Sequence, residues 1–148
     1  MRYKASQRSR ARIVQQRLHP ELTGKILAAF YSVYQELGSG FMEPAYTRAL
    51  ADELSKLGLK AECQAPITVR RKHRPVGIFR ADLLVNDVVL IGLQARAAIE
   101  PAREMQLMNC LKATTVEVGL LLNFGPEPRF KRFVFLNQRK KASFSLRH

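Results

Sequence analysis

Residues 80–94 read RADLLVNDVVLIGLQ, and this stretch decides the fold. Two apolar runs flank Asn86 and Asp87, residue types that favour a tight turn, so the stretch predicts a β-hairpin. The first strand of this hairpin contains a carboxylate at Asp82, and the second ends in an amide at Gln94. Because a carboxylate inside an apolar strand needs a hydrogen-bond partner, a cation or a metal, Asp82 is the first candidate site residue.

The segments on either side predict the remaining elements. Apolar side chains recur at helical spacing from Leu22 to Leu37, which indicates a helix that begins near Pro20 and ends before Gly38. A second helix is predicted over residues 42–57. The downstream pattern predicts a strand at 61–69, a charged turn at 70–75, strands at 76–85 and 88–95, a helix from 101, and strands at 116–124 and 130–136. Because Pro66 has no N–H to donate, the first of these strands is expected at an edge of the sheet.

This order of elements predicts an α/β fold, of the α+β type, with one mixed sheet. The first three strands form a meander, and the helix near Pro101 makes a right-handed crossover to a parallel strand. We expect one domain at residues 19–136, a basic flexible arm at residues 1–18 and a basic tail at residues 137–148. The chain length of 148 residues suits a single hydrophobic core.

Composition narrows the class of protein. The hydrophobic fraction is 47% and the charged fraction 25%, as in ordinary globular domains. No apolar run reaches the ~18 residues that span a bilayer, and the first twenty residues lack the apolar block of a signal peptide. We therefore expect a cytoplasmic protein without membrane contact, although the Arg-rich start also fits an organelle transit peptide. Cys63 and Cys110 interrupt apolar segments, which predicts two buried free thiols.

The net charge of +13 is concentrated at the two ends of the chain. Residues 1–20 contain six basic residues and no acid, and residues 129–148 contain seven and no acid, which together equal the whole net charge. Basic ends favour a polyanion partner, because Lys and Arg release the counterions condensed on phosphates. Solvated tails, ribosomal contact and membrane-surface adhesion have the same composition. Nucleic acid is the expected partner, with these candidate contacts: Arg8, Arg10, Arg12, Arg17, Arg139, Lys140 and Lys141.

Three sequence blocks together carry a family resemblance. They are Gly-x-x-Glu-x-x-Tyr at residues 40–46, Arg-Ala-Asp at 80–82 and Leu-Leu-Asn-Phe-Gly at 121–125. Their order and the predicted elements resemble the GxxExxY proteins of the PD-(D/E)XK nuclease-like superfamily. The resemblance extends from about residue 20 to about residue 135. It implies a restriction-endonuclease-like αβββαβ core with an extra N-terminal helix.

The resemblance also implies a metal-dependent active site. In the family pattern Glu43, Asp82 and a carboxylate at position 92 surround a metal, typically Mg²⁺, with a lysine at position 94 beside it. Glu43 and Asp82 match this pattern, whereas Gly92 and Gln94 do not. The resemblance therefore implies Mg²⁺ as the metal, but its set of ligands lacks the carboxylate at position 92.

A further helix motif of related nucleases, Gln-x-x-x-Tyr, braces the site or the DNA. It is matched here by Gln106, but Cys110 stands in place of its tyrosine. The departures therefore fall together on the catalytic side of the pattern, and Gln94 and Gln106 are at most residual site residues.

Loop length tests the assignment of position 92. A three-residue loop at 86–88 places Asp82 directly opposite Gly92, whereas a two-residue loop turns Gly92 to the other face of the sheet. Arg96 lies on the same strand face as Gln94 and is either a relocated cation or a surface arginine. Glu100 and Glu104 are either relocated carboxylates or, respectively, a helix-start residue and a solvent-facing residue.

Three functions remain open. The favoured one is a nuclease-like protein with impaired catalysis that binds nucleic acid through its basic ends. The second is an active Mg²⁺-dependent nuclease with a rearranged site, in which Asp82→Ala abolishes cleavage. The third is an interaction or scaffold protein that uses the fold without nucleic acid.

Overall fold

The computed structural model describes Arg10 and residues 18–140. Its helices and strands are, in chain order, α1 (Pro20–Leu37), α2 (Glu43–Lys56), β1 (Ala61–Arg71), β2 (Arg74–Val85), β3 (Val89–Gln94), α3 (Pro101–Lys112), β4 (Val118–Phe124) and β5 (Pro128–Val134). A short 3₁₀ turn at Asn137–Arg139 follows. Within the described part of the chain, no helix is long and apolar enough to cross a membrane.

One five-stranded mixed sheet forms the centre of the fold. Its strand order is β1-β2-β3-β4-β5, in which only β3 and β4 run parallel, connected by α3. The meander and the helical crossover are therefore confirmed, and β1 is an edge strand, as Pro66 predicted. The sheet and helices have the α/β architecture of a restriction-endonuclease-like fold.

The two faces of the sheet carry different helices. Alternate strand residues such as Leu83 and Ile91 pack on one face with Phe30 of α1 and Leu50 of α2. On the opposite face, Leu84, Leu90 and Leu121 pack with Leu107 and Leu111 of α3. Asp82 and Gly92 share the alternation of Leu84 and Leu90, so both point to the α3 face.

The turn between β1 and β2 differs from the prediction. Residues 70–75 were expected to form a charged turn, but β1 continues to Arg71, β2 begins at Arg74, and the connection is only Lys72 and His73. Backbone pairing outweighs the charged side chains, because these lie in water. Pro75 is tolerated because β3 pairs with β2 only from Leu83 to Val85, so the outer side of β2 is open at Pro75.

The two cysteines lie in different environments. Cys110 is buried as predicted, but Cys63 is exposed, so the expectation of two buried thiols was wrong for Cys63. The physical reason is that Cys63 lies on edge strand β1, beside Gln64, whose φ of 53° interrupts the regular strand.

Candidate active site

The Gly-x-x-Glu-x-x-Tyr block places Glu43 at the first position of α2. The buried Tyr46 hydroxyl donates to the Gly38 carbonyl oxygen at 2.6 Å and accepts a hydrogen bond from the Phe41 N–H at 3.2 Å. The Tyr46 ring stacks on Phe124 with 4.2 Å between centroids. Tyr46 is thus a core aromatic residue that fixes the loop before α2. It thereby fixes the backbone position from which the Glu43 side chain extends.

Asp82 lies opposite Gly92, as the loop-length test required. Val85 pairs with Val89 and Leu83 with Ile91, so the connecting loop has three residues. The pairing ends at Leu83 and Ile91, and in this register Asp82 and Gly92 are the next facing positions. The Asp82 carboxylate accepts a hydrogen bond from the Leu93 N–H at 2.7 Å. Burial raises the pKa of Asp82 above its ordinary value of 3.8, although the Leu93 hydrogen bond and the nearby Arg103 charge oppose this shift.

Arg103 is the cation of this site, and the sequence patterns did not identify it. From the first turn of α3 its Nη2 atom contacts both carboxylate oxygens of Glu43, at 3.0 and 3.1 Å. Burial raises the pKa of Asp82, and the positive charge of Arg103 limits that rise. The side chains of Arg103 and Glu43 are each about one-third exposed, at 32% and 31%. A guanidinium therefore binds one of the two matched carboxylates and acts on the other.

A small cavity lies beside Asp82 on the α3 face. Its volume is about 40 Å³, and its lining includes Gly92, Arg103, Gln106 and Cys110. A Cβ atom at Gly92 would lie 3.2 Å from Leu121 Cδ1, so a side chain at this position requires Leu121 to move slightly. Burial, with a smaller effect from Asp82, raises the pKa of Cys110 to about 12, so its thiol is neutral. Gln106, which also lines this cavity, is exposed.

Gln94 is fully buried and holds the loop between β3 and α3. Its Nε2 donates to the Ala98 carbonyl oxygen at 2.7 Å, and its Oε1 accepts from the Glu100 N–H at 3.2 Å. Both ends of the amide are used in this way. Gln94 therefore connects backbone groups where the family pattern has a lysine.

The substitutes considered for the missing groups lie elsewhere. Arg96 is exposed and forms an ion pair with Glu100 at 3.7 Å. Glu104 was expected to face solvent, but its side chain is only 23% exposed and it forms an ion pair with Lys131 of β5. The reason is this contact with Lys131, which covers part of the carboxylate. Neither glutamate lines the cavity beside Asp82.

A larger cleft opens on the α2 side of Asp82. It has a volume of about 480 Å³ and is lined by three carboxylates, Glu43, Asp52 and Asp82, together with Arg48 and Gln64. Within the described residues, no group of three or more His, Cys, Asp or Glu side chains is arranged to hold a metal ion. Mg²⁺ requires a near-octahedral set of oxygens. Since Glu43 is bound by Arg103 and position 92 has no side chain, the residues as arranged do not fit a Mg²⁺ site.

Only three of the seven predicted nucleic-acid contacts lie within the described residues. Arg10 and Arg139 are exposed. The Lys140 ammonium donates to the carbonyl oxygens of Thr114 and Val116, at 2.6 and 2.7 Å. The other four lie outside the described residues: Arg8, Arg12, Arg17 and Lys141. The basic arm therefore lies mostly outside the described residues, whereas the beginning of the tail contacts the domain.

Comparison with known proteins supports this fold. The profile of the PD-(D/E)XK nuclease superfamily matches residues 20–133, which include both Glu43 and Asp82. A solved structure described as the crystal structure of SSO0001 is similar with a TM-score of 0.48 and 17% sequence identity. The similarity covers 64% of this chain and 50% of SSO0001, so the chain spans about half the length of that relative. No curated protein matches the sequence. The match over most of the chain shows that it belongs to the PD-(D/E)XK nuclease superfamily.

Proposed function

We propose that this chain is a nuclease-like protein of the GxxExxY family with impaired catalysis, which binds nucleic acid. The observation that carries the proposal is the contact of Arg103 with both oxygens of Glu43. Its guanidinium supplies positive charge beside the two carboxylates that the family pattern assigns to a metal. The site is therefore neutralised by the protein's own side chain.

The chemistry of phosphodiester hydrolysis explains why this arrangement impairs catalysis. A metal in such a site activates water and stabilises the charge on the phosphate, and a nearby lysine adds to that stabilisation. Arg103 can stabilise negative charge but cannot activate water. Gly92 offers no third carboxylate, and the Gln94 amide is occupied by Ala98 and Glu100. Binding of a polyanion needs none of these groups.

Charge supports nucleic acid as the partner. The net charge of +13 attracts phosphates, and the exposed Arg10 and Arg139 belong to the basic ends where this charge is concentrated. Such contacts bind with little sequence preference and weaken as salt rises.

A cleavage and binding assay on the full chain tests the proposal. Plasmid DNA and a structured RNA are incubated with the wild type and with Asp82→Ala, in Mg²⁺ or Mn²⁺, and binding is followed by fluorescence anisotropy across a salt series. We expect equal, background cleavage by both proteins and binding that weakens steeply with salt. Binding that does not change with salt would contradict the proposed polyanion contact and favour a scaffold role.

An active nuclease with a rearranged site is a second candidate. The cleft lined by Glu43, Asp52 and Asp82 favours it, because these carboxylates surround one space of about 480 Å³. It requires Arg103 to release Glu43 when metal binds. Calorimetric titration with Mn²⁺ separates the two functions. If catalysis is impaired, the wild type and Asp82→Asn bind Mn²⁺ with equal affinity. If the site is active, the wild type binds Mn²⁺ more tightly than Asp82→Asn does, and Asp82→Ala abolishes cleavage.

A further inference from the structure

Residues 66–80 of β1 and β2 form a two-stranded ribbon that extends beyond the rest of the sheet. Strand β3 pairs with β2 only from Leu83 to Val85, whereas β1 and β2 pair from Ala61 and Val85 out to Arg71 and Arg74. The base of the ribbon is anchored on the α3 face, where Ile67 is buried and Phe79 packs against the same apolar cluster. We call residues 66–80 the β1–β2 ribbon.

The β1–β2 ribbon is strongly basic. No acid occurs between Glu62 and Asp82, and the ribbon contains these cations: Arg70, Arg71, Lys72, Arg74 and Arg80. Within the part of the chain that the structure describes, none of the ion pairs includes a cation of the ribbon. The central part of the sequence is neutral when its charges are counted together, but the fold separates them and gives this positive charge no carboxylate partner among the described residues.

One exposed face of the ribbon leads to the candidate site. Arg74, Val76, Ile78 and Arg80 alternate along β2 and are exposed on the side opposite Phe79, which packs on the α3 face. Arg80 also lines the small cavity that contains Asp82. At about 3.3 Å per residue, Arg74 lies about 26 Å along the strand from Asp82. A partner bound along this face therefore ends at the cleft that contains Asp82.

The tip of the ribbon is strained. Lys72 and His73 connect the strands with positive φ values of 49° and 67°, a conformation that favours Asn and Gly in two-residue hairpins. Bulkier residues at such positions are costly, so their presence suggests that the side chains have a use at the tip. Both side chains carry N–H groups that can donate hydrogen bonds to phosphate oxygens.

We propose that the β1–β2 ribbon docks duplex DNA and directs it to the cleft at Asp82; this inference rests on the proposed function, in which the chain binds nucleic acid. The uncompensated cations complement the phosphate backbone. A two-stranded ribbon fits the major groove of B-DNA, which is about 12 Å wide, whereas the major groove of duplex RNA is deep and narrow. Phe79 packs against the core, so the only exposed ring of the ribbon is the His73 imidazole at its tip. The ribbon therefore lacks the succession of exposed aromatic rings on which the bases of a single strand stack.

A paired set of charge-removing variants tests this proposal in the full chain. Arg71→Ala/Arg74→Ala removes two exposed cations that lie opposite each other in the ribbon. Lys25→Ala/Lys56→Ala is the matched control, because both lysines are exposed and Lys25 lies beside Asn86, at the other end of β2. Binding of a mixed-sequence DNA duplex is measured by fluorescence anisotropy across a salt series.

We expect the ribbon variant to lose roughly an order of magnitude in affinity and to reduce the slope of log K against log salt by about 2, with the control unchanged. Duplex RNA and single-stranded DNA of the same sequence are expected to bind more weakly than duplex DNA and to be less affected by the ribbon variant. Equal losses in the ribbon variant and the control would overturn the docking role.

A second variant separates charge from folding. Lys72→Asn/His73→Gly provides the preferred turn residues, so it is expected to raise the melting temperature while weakening DNA binding. Weaker binding in a more stable protein cannot result from loss of the fold. Unchanged binding by both ribbon variants would overturn the inference and leave nucleic-acid binding by the chain intact, whereas no DNA binding by the wild type would overturn the proposed function as well.

Discussion

The cleft at Asp82 and the β1–β2 ribbon differ in whether their charged side chains have partners. In the cleft, Glu43 is bound by Arg103 and Asp82 accepts the Leu93 N–H. In the ribbon, no described ion pair includes a cation of residues 66–80. This difference shows that the fold can pair a carboxylate of the candidate site with an arginine and still expose unpaired positive charge on the ribbon. Substitutions in the cleft should therefore change the free energy of unfolding, whereas substitutions at the ribbon tip should change mainly binding.

The largest effect is expected at Gln94. Gln94→Ala removes both hydrogen bonds of the buried amide and leaves the Ala98 carbonyl and the Glu100 N–H without their partner, which should lower the free energy of unfolding by about 2–4 kcal/mol. Urea denaturation measures this loss. Gln106→Ala is the control, because Gln106 is exposed and should change stability by less than about 0.5 kcal/mol. Equal losses for the two variants would remove the structural role assigned to Gln94.

Asp82→Asn should stabilise the protein near neutral pH, by roughly 0.5–2 kcal/mol. Burial raises the pKa of Asp82, so the folded state binds this proton more tightly than the unfolded state does. Ionisation of Asp82 therefore costs stability above its folded-state pKa, and the cost disappears as pH falls below the ordinary value of 3.8. Urea denaturation of both proteins from neutral pH to about pH 4 should show the difference shrinking. A difference that grows as pH falls would mean that the folded-state pKa is lowered.

Glu43→Gln should have a smaller effect on stability. The Glu43–Arg103 pair is about one-third exposed, so its loss should lower the free energy of unfolding by about 0.2–1 kcal/mol. Glu127→Gln provides a comparison, because its pair with Arg129 is more exposed and should contribute less. Thermal denaturation at low and high salt measures both. A larger loss at Glu127 would show that the contact with Arg103 does not stabilise the cleft.

Removing charge from the ribbon should leave stability nearly unchanged. Arg71→Ala alters an exposed side chain for which the described structure gives no ion pair, so the change should lie within about 0.5 kcal/mol. Urea denaturation alongside Gln94→Ala provides the comparison. If Arg71→Ala destabilises the protein as much as Glu43→Gln does, the contrast between cleft and ribbon fails.

Much of the fold was predictable from local patterns. Apolar periodicity indicated α1 and α2, and Pro66 indicated an edge strand. The sequence left open whether the loop after β2 has two or three residues, and the structure decides for three, because β3 begins at Val89. A loop of odd length keeps the two positions 82 and 92 on one face, since side chains alternate with a fixed period. These features depend on short-range geometry, which a single sequence contains.

The parts that were missed depend on contacts between distant segments. Arg103 meets Glu43 across sixty positions, and no local pattern in α3 distinguishes it from a surface arginine. Only residues 70–75 at the end of the ribbon were predicted as a turn, because they are charged, whereas cross-strand pairing determines where β1 and β2 end. The role of Gln94 was also hidden, since its partners are backbone atoms of a loop that has no regular structure.

Gly125 has no side chain, yet its close contact with the backbone of Arg96 affects the position of the site residues. A Cβ atom there would lie 2.2 Å from the Arg96 carbonyl oxygen, and the Asn123 amide bonds the backbone of Arg96 on both sides. Any side chain at position 125 would push on the segment that leads from Gln94 to α3, which carries Arg103. In a saturation mutagenesis screen, Gly125 should therefore tolerate no other residue, and a family member with a larger residue here would need a different path between β3 and α3.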